Sequence, residues 1–508
     1  MFRNLSHHSS ELIHFLVDLS ILIFLTSGLF LGWSLGANDA ANVFGTAVGS
    51  RMVSFTTAAV ICGTFVILGA FVSGTGAAQT LGKLGAVNAL GGSFMAALSA
   101  GLTVYWMTRL GLPVSTSQAI IGSIIGWNLF SDSYTDLSSL IKILSSWVIS
   151  PLLSGIIAAL LFTLAKSFIR RIGIGLIRLD GYTRFALILA GAFGCFSLGA
   201  NNIANVMGVF VPVAPFPEFQ LIEGFSISSA QQLFLIGGLA IAVGVFTYSK
   251  RVMMTVGSEL MTLTPLAAWV VVMSHSIVLF LFASERLEQL LANLSLPTIP
   301  LVPVSSSQVV VGAVLGIGIF HGGRRIQWGR VSSIVKGWVI TPLISGLVCF
   351  VGLFFLQNVF LQTVQSESQY LLSKSVLEKF RKEGIGTAGM DELTGSTFHS
   401  SAGLVRALEA KTSLPGKQAL KAVEYSLQNR LLLVPEKLNQ LDTKGLTTLQ
   451  LDVVHQLQGR TFIHPWQLGD ALAEISKEWR IRGGGLKNKL RDRGIKQKLA
   501  YLYRTFQQ

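Results

Sequence analysis

Apolar residues along this chain come in long blocks, without the alternation of a half-buried strand or the one-sided spacing of a surface helix. The blocks cover about 12–35, 53–73, 86–108, 138–165, 184–210, 232–248, 262–283 and 338–362. Each approaches the roughly 20 residues an α-helix needs to cross a bilayer's hydrocarbon, so each reads as a membrane span. Two further apolar stretches, 114–130 and 301–320, are shorter. Beyond about Thr363 the pattern changes, and residues 365–508 are charged and hold no span. Within them, KQALKAVEYSLQNRLLLVPEKLNQL and HPWQLGDALAEISKEWR have the spacing of amphipathic helices. The expected fold is all-α: a polytopic membrane protein followed by a soluble helical extension.

Composition agrees with the pattern. Of 508 residues, 51% are hydrophobic and only 13% charged, where a soluble domain carries about 25% charged residues. The first apolar run follows a single basic residue, Arg3, and no small-residue cleavage site comes after it, so it reads as a retained helix. Cys62, Cys195 and Cys349 lie far apart in apolar blocks. They read as small buried hydrophobes, without disulfide or metal spacing. The net charge of +14 is concentrated in loops and in the tail, where the basic stretch Lys487–Lys498 follows Gly483–Gly485. Such placement fits membrane topology, with the lipid bilayer as partner and no nucleic acid expected. No nucleophile–base pair, metal-ligand cluster or phosphate-binding Gly-Lys-Ser/Thr loop stands in the spans, so neither an enzyme nor a cofactor is expected.

The chain repeats itself. SLGANDAANVFG (34–45) returns as SLGANNIANVMG (197–208), LPVSTSQAIIGSIIG (112–126) as VPVSSSQVVVGAVLG (302–316), and WVISPLLSG (147–155) as WVITPLISG (338–346). A weaker match, TLGKL at Thr80 and TVGSE at Thr255, falls between the first two pairs. The order is the same in both halves. This divides the chain into a first transmembrane repeat (1–183), a second (184–362) and the basic extension (363–508). The loop before Trp147 carries Asp132, Asp136 and only Lys142, whereas its counterpart before Trp338 carries Arg324, Arg325, Arg330 and Lys336. Basic loops stay cytoplasmic. The opposite bias of equivalent loops therefore predicts inverted repeats. Lys166, Arg170, Arg171, Arg178 and Arg184 place the linker between the copies on the cytoplasmic face too, and the same count of crossings puts the tail outside the inner membrane. Inverted repeats in a membrane protein point to a transporter, with substrate and ion sites where broken or re-entrant helices meet near the midplane.

Two constellations carry the candidate chemistry. An ionisable residue in a span has to face a cavity or a partner. Asp39, flanked by Gly36 and Gly45 that allow the backbone to open, brings Asn38 and Asn42 with it, and the second copy keeps Asn201 and Asn205. Their oxygens suit a small hard cation, Na⁺, or a proton at Asp39. The same residues also suit a helix cap with amides that hold helices together. The second constellation is the pair PVSTSQ and PVSSSQ. Pro113 and Pro303 suit the first turn of a helix and the adjoining hydroxyls suit its cap. A helix beginning inside the membrane would aim its free N–H groups and positive dipole end at a site. Ser115, Thr116, Ser117 and Gln118, with Ser305, Ser306, Ser307 and Gln308, add neutral side-chain donors suited to a small tetrahedral oxyanion. Taken singly, each tip also fits an ordinary capped helix.

GANDAANVFGTAVGS (36–50) resembles the first signature of the inorganic phosphate transporter (PiT) family, and LPVSTSQAIIGSIIG resembles its second motif. The resemblance spans about residues 20–360. It implies a symporter with inverted repeats and two hairpin-like broken helices, taking up inorganic phosphate with Na⁺ or H⁺ as a homodimer in the cell's inner membrane. By that resemblance Asn38, Asp39, Asn42, Asn201, Asn202 and Asn205 form the ion sites, with Asp39 the Na⁺ ligand if Na⁺ is coupled. The serine, threonine and glutamine side chains of the tips bind phosphate. Two positions depart from the family pattern: Asn202 stands where a second carboxylate is usual, and Ser117-Gln118 where Thr-His is frequent. A changed cargo, sulfate or another oxyanion, is the first alternative. A transporter-like anion receptor signalling through the extension is the second.

Overall fold

The computed structural model describes the backbone from residue 2 to 507 apart from 86, 111–113, 174, 214–215, 217–218, 223–224, 257–262, 321, 324–325, 440, 442–444 and 484–485. Side chains are further undescribed at 2–19, 79, 83, 176, 219–222, 225–226, 255–256, 417, 439, 486–487, 489–490 and 493. Pro113, Arg324, Arg325 and Gly257–Glu259 of TVGSE thus lie outside the described residues.

The chain forms two compact units. The first takes in residues 1–131, 139–285 and 299–366. Its elements are α1 (Phe2–Gly49), α2 (Phe55–Ser73), α3 (Thr75–Leu84), α4 (Leu90–Arg109), α5 (Thr116–Phe130), α6 (Leu137–Ile172) and α7 (Leu176–Met207), the last running on into a 3-10 turn at Gly208–Val213. After the hairpin β1 (Phe219–Ile222) and β2 (Phe225–Ile227) come α8 (Ser229–Thr247), α9 (Ser249–Val256), α10 (Pro265–Ala283), α11 (Glu285–Asn293), α12 (Ser306–Phe320) and α13 (Trp328–Asn358). Residues 286–298, and with them most of α11, belong to the second unit. Among the described residues, eight helices, α1, α2, α4, α6, α7, α8, α10 and α13, are long and apolar enough to cross a membrane. The long helices α6 and α13 leave Leu152, Leu160, Leu343, Leu347 and Phe354 exposed on their outer faces. Such apolar surface is stable only against lipid or another apolar partner.

α5 and α12 have 15 residues each, about 22 Å at 1.5 Å per residue, against roughly 30 Å of hydrocarbon. They cannot cross alone. Each instead lies against a long helix of the other half of the chain. A Cβ at Gly122 of α5 would collide with the Pro342 carbonyl of α13, and one at Gly312 of α12 with the Pro151 carbonyl of α6. Gly126 meets Gly346, and Gly316 meets Gly155, in the same manner. Small residues let the backbones touch, and hydroxyls then bind across, as Ser123 and Ser345 do with Oγ atoms 2.7 Å apart. Helices from the two halves of the chain are therefore interleaved within one unit.

Gly36 corrects an expectation. α1 is continuous through Asp39, so the glycine does not open the backbone there. It admits α8 instead, since a Cβ would collide with the Ile241 carbonyl, and Gly199 of α7 meets the Val66 carbonyl of α2 in the same manner.

The second unit holds residues 132–138, 286–298 and 367–508. It contains short strands as well as the expected helices: β3 (Gln369–Leu371), α14 (Lys374–Lys382), β4 (Thr397–Phe398), α15 (Ser401–Glu409), α16 (Gly416–Ser426), β5 (Leu427–Gln428), β6 (Leu431–Leu432), α17 (Pro435–Asn439), α18 (Thr448–Gln456), β7 (Thr461–Phe462), α19 (Pro465–Ile475) and α20 (Leu486–Phe506). It is itself a tandem repeat. β3 pairs with β4 and β5, while β6 pairs with β7 and Leu431 bridges to Gln507. The backbone exchange between Leu372 and Gly395/Ser396 recurs between Leu433 and Gly459/Arg460. Gly395 and Gly459 both sit at positive φ, 87° and 78°, where a side chain would be strained. Each module has its own core, one around Leu372, Phe380, Leu404 and Leu408, the other around Leu433, Leu468, Leu472 and Trp479.

Candidate functional site

Every residue expected at the site is buried, none more than 7% exposed. The four-residue spacing of Asn38 and Asn42 places both on one face of α1, and that of Asn201 and Asn205 does the same on α7. Asp39 is held by both helices: Asn38 donates to Oδ1 at 2.8 Å and Asn202 donates to Oδ2 at 3.1 Å. Asn202, where a second carboxylate was expected, is thus an amide donor to the single acid. Asn205 in turn donates to Asn202 Oδ1 at 3.3 Å.

The tips of α5 and α12 close on this cluster. Ser115 Oγ accepts from Gln118 N–H at 3.2 Å, and Ser305 Oγ from Gln308 N–H at 3.3 Å, so each serine caps its helix. The ladder begins with Ala119 N–H to Ser115 O and Val309 N–H to Ser305 O. The N–H groups of Thr116, Ser117, Ser306 and Ser307 therefore stand outside it. The tips also clasp each other, Ser117 Oγ donating to Val304 O at 3.1 Å and Ser307 Oγ to Val114 O at 2.8 Å. The asparagines reach across between halves: Asn205 of α7 donates to Ser117 at 2.8 Å, and Asn42 of α1 to Ser306 at 3.0 Å and Ser307 at 3.3 Å. Asn38 and Asn201 add donations to Val114 O and Val302 O, both at 3.4 Å.

The two glutamines are placed differently. Gln118 and Gln308 line a cavity of about 550 Å³ with Trp147, Trp338, Pro151 and Pro342. Their Oε1 atoms and the two indole N–H groups have no hydrogen-bond partner among the described residues. The matched motifs 147–155 and 338–346 thus bring one tryptophan and one proline each to this cavity.

One residue was missed. His275, in the middle of α10 and fully buried, sets Nε2 2.9 Å from Ser306 Oγ. The sequence carried a signal for it: His275 is the one ionisable side chain in the span Pro265–Ala283, and an ionisable group at that depth is a functional candidate.

The chemistry available is that of many neutral donors, one carboxylate and several free oxygens. Thr116 Oγ1, Asn201 Oδ1 and Asn205 Oδ1 have no partner among the described residues. Oxygens of this kind suit a hard cation, and the hydroxyls and first-turn N–H groups suit an anion. Among the described residues, no group of three His, Cys, Asp or Glu side chains gathers at one point.

Known proteins resemble this chain over most of its length. The phosphate transporter family matches residues 35–349, with a second match over 291–395 that runs past residue 363 into the extension. A protein of Pyrococcus furiosus described as a "putative phosphate permease" is 26% identical over 408 residues, covering 66% of this chain and 95% of its own. One of Methanocaldococcus jannaschii with the same description is 26% identical over 336 residues, covering 66% of this chain and 97% of its own. A solved structure entitled "The sodium-dependent phosphate transporter" matches with a TM-score of 0.52 at 24% identity, over 67% of this chain and 100% of that one. With the family's match extending over more than half its length, this multi-pass membrane protein belongs to the phosphate transporter family.

Proposed function

We propose that the protein is a secondary active symporter that takes up inorganic phosphate with Na⁺ or H⁺, working as a homodimer in the cell's inner membrane. The observation that carries this reading is the crossed clasp: Asn42 holds the second tip and Asn205 the first, with Asp39 bonded between α1 and α7. In this reading the anion lies at the two tips, on the hydroxyls of Thr116 and Ser306 and the first-turn N–H groups. The cation binds among Asp39 and the free oxygens of Asn201 and Asn205, and its charge offsets that of the anion in a site with no lysine or arginine among the described residues. Inverted orientation of the repeats would let the same clasp face either side in turn.

Labelled phosphate uptake into proteoliposomes, with Na⁺ and pH gradients imposed independently, tests the proposal. Sodium is the first ion to vary, because the structurally similar transporter is sodium-dependent. Accumulation above equilibrium under one gradient is expected. Equal filling under both, or displacement of phosphate by equimolar sulfate, would overturn the reading.

A further inference from the structure

The two tips are not equivalent. Thr116 on the first has a hydroxyl with no partner among the described residues, whereas Ser306, its counterpart on the second, is bonded to Asn42 and His275. A serine hydroxyl donates one hydrogen and accepts at two lone pairs. Asn42 N–H₂ can only donate, so it occupies one lone pair of Ser306. What remains depends on His275. If its Nε2 carries a lone pair, the Ser306 hydrogen is committed to the imidazole and the anion loses that donor. If Nε2 carries a proton, His275 donates to Ser306 and the hydroxyl hydrogen is released toward the tip. Nothing fixes the tautomer from behind, because Nδ1 has no partner among the described residues; in most functional histidines that second bond makes the choice.

We propose that His275 is a positioning residue for the anion, turning the Ser306 hydroxyl toward or away from the substrate according to whether Nε2 bears hydrogen. The assignment rests on the phosphate-transport reading. A proton taken up by His275 then does two things at one place: it frees a donor at the second tip and sets a positive charge behind it. On the elements packed against α10 the titratable groups among the described residues are Asp39 on α1, Cys195 on α7 and, nearer the start of α7, Arg178, Tyr182 and Arg184 paired with Asp180 at 2.8 Å. α6, which meets α10 at Ser154 and Ser274, carries Lys142, Lys166, Arg170 and Arg171 toward its two ends; α12 carries none, and Lys83 of α3 and the first residues of α1 lie outside the described side chains. Asp39 already accepts from Asn38 and Asn202.

The test compares wild type, His275→Gln and Ser306→Ala, alone and combined, by initial phosphate uptake in proteoliposomes from about pH 5.5 to about pH 8. Phosphate itself ionises over this range, so the quantity to follow is the ratio of variant to wild-type KM at each pH. His275→Gln should change that ratio about tenfold across the range, the scale of one charge-assisted hydrogen bond. In the Ser306→Ala background the pH-dependent effect of the same substitution should shrink well below tenfold, to what the imidazolium charge alone contributes. A ratio flat with pH while wild type transports, or an undiminished His275 effect without the Ser306 hydroxyl, would overturn the assignment. Loss of transport in His275→Gln with an unchanged elution profile, not restored at any pH, would also overturn it, since positioning is graded. Absence of uptake by wild type would remove the transport reading, and this inference with it.

Discussion

At the scale of single residues, the site keeps one carboxylate among many amides and hydroxyls. Asp39 ends bonds from two helices, so its charge matters more than its hydrogen-bond count. Asp39→Asn keeps the shape and removes the charge. It should reduce concentrative uptake to background while thermal melting stays within about 1 kcal/mol of wild type; accumulation at the wild-type level would show that the cation binds elsewhere. His464 in the second unit makes a separate prediction. Its Nδ1 lies 3.0 Å from Leu427 O, and its Nε2 is buried without a partner among the described residues. Burial holds this imidazole below its usual pKa. The unfolded chain therefore binds more protons just below the ordinary value, so stability rises with pH there and is lost as pH falls below about 6.5. Glu383, held low by its hydrogen bond from Lys421, adds to the same acid sensitivity further down. Hydrogen exchange of α19 amides in the full-length protein, corrected for intrinsic rates, should quicken between about pH 7 and about pH 5. His464→Gln should respond less, and equal protection at both values would sink the account.

Among the elements, the spans were the most legible part of the sequence, because a block of some twenty apolar residues has few other uses. The clustering of the candidate site was legible for a different reason. Neither SLGANDAANVFG nor LPVSTSQ is decisive alone, but each occurs twice, and the structure brings the four together. The pairing across halves was not legible, since the partners of Gly122 and Gly312 lie more than 150 residues away and nothing local records them. His275 went unread because a lone histidine in an apolar helix most often serves packing. The tail's own duplication was missed because its sequence trace, TFHSSAGLVRALEA (397–410) against TFIHPWQLGDALAE (461–474), agrees at only five of fourteen positions and lies between stretches that have diverged. The crossings themselves are testable. Gly312→Val drives a side chain into the Pro151 carbonyl, and overpacking of that kind costs roughly 1–3 kcal/mol. Gly337→Val on α13, where nothing lies within 4 Å, is the control. The first should melt earlier in detergent than the second; coincident melts would mean the crossing yields without strain.

For the molecule as a whole, the crossings have a consequence for its making. α5 ends at residue 130, and α13, the helix it leans on, begins at residue 328. At roughly 5–20 residues per second a ribosome needs on the order of 10–40 seconds to cover that interval. For that time a short helix with a serine-rich tip has α4 and the end of α3 beside it but lacks its largest partner, and it is too short to settle across the bilayer by itself. The face that α13 will cover must be sheltered meanwhile, by the insertion machinery or a chaperone. The newborn first half is therefore the form most exposed to proteolysis, and a chain cut short before residue 328 should be degraded as an orphan.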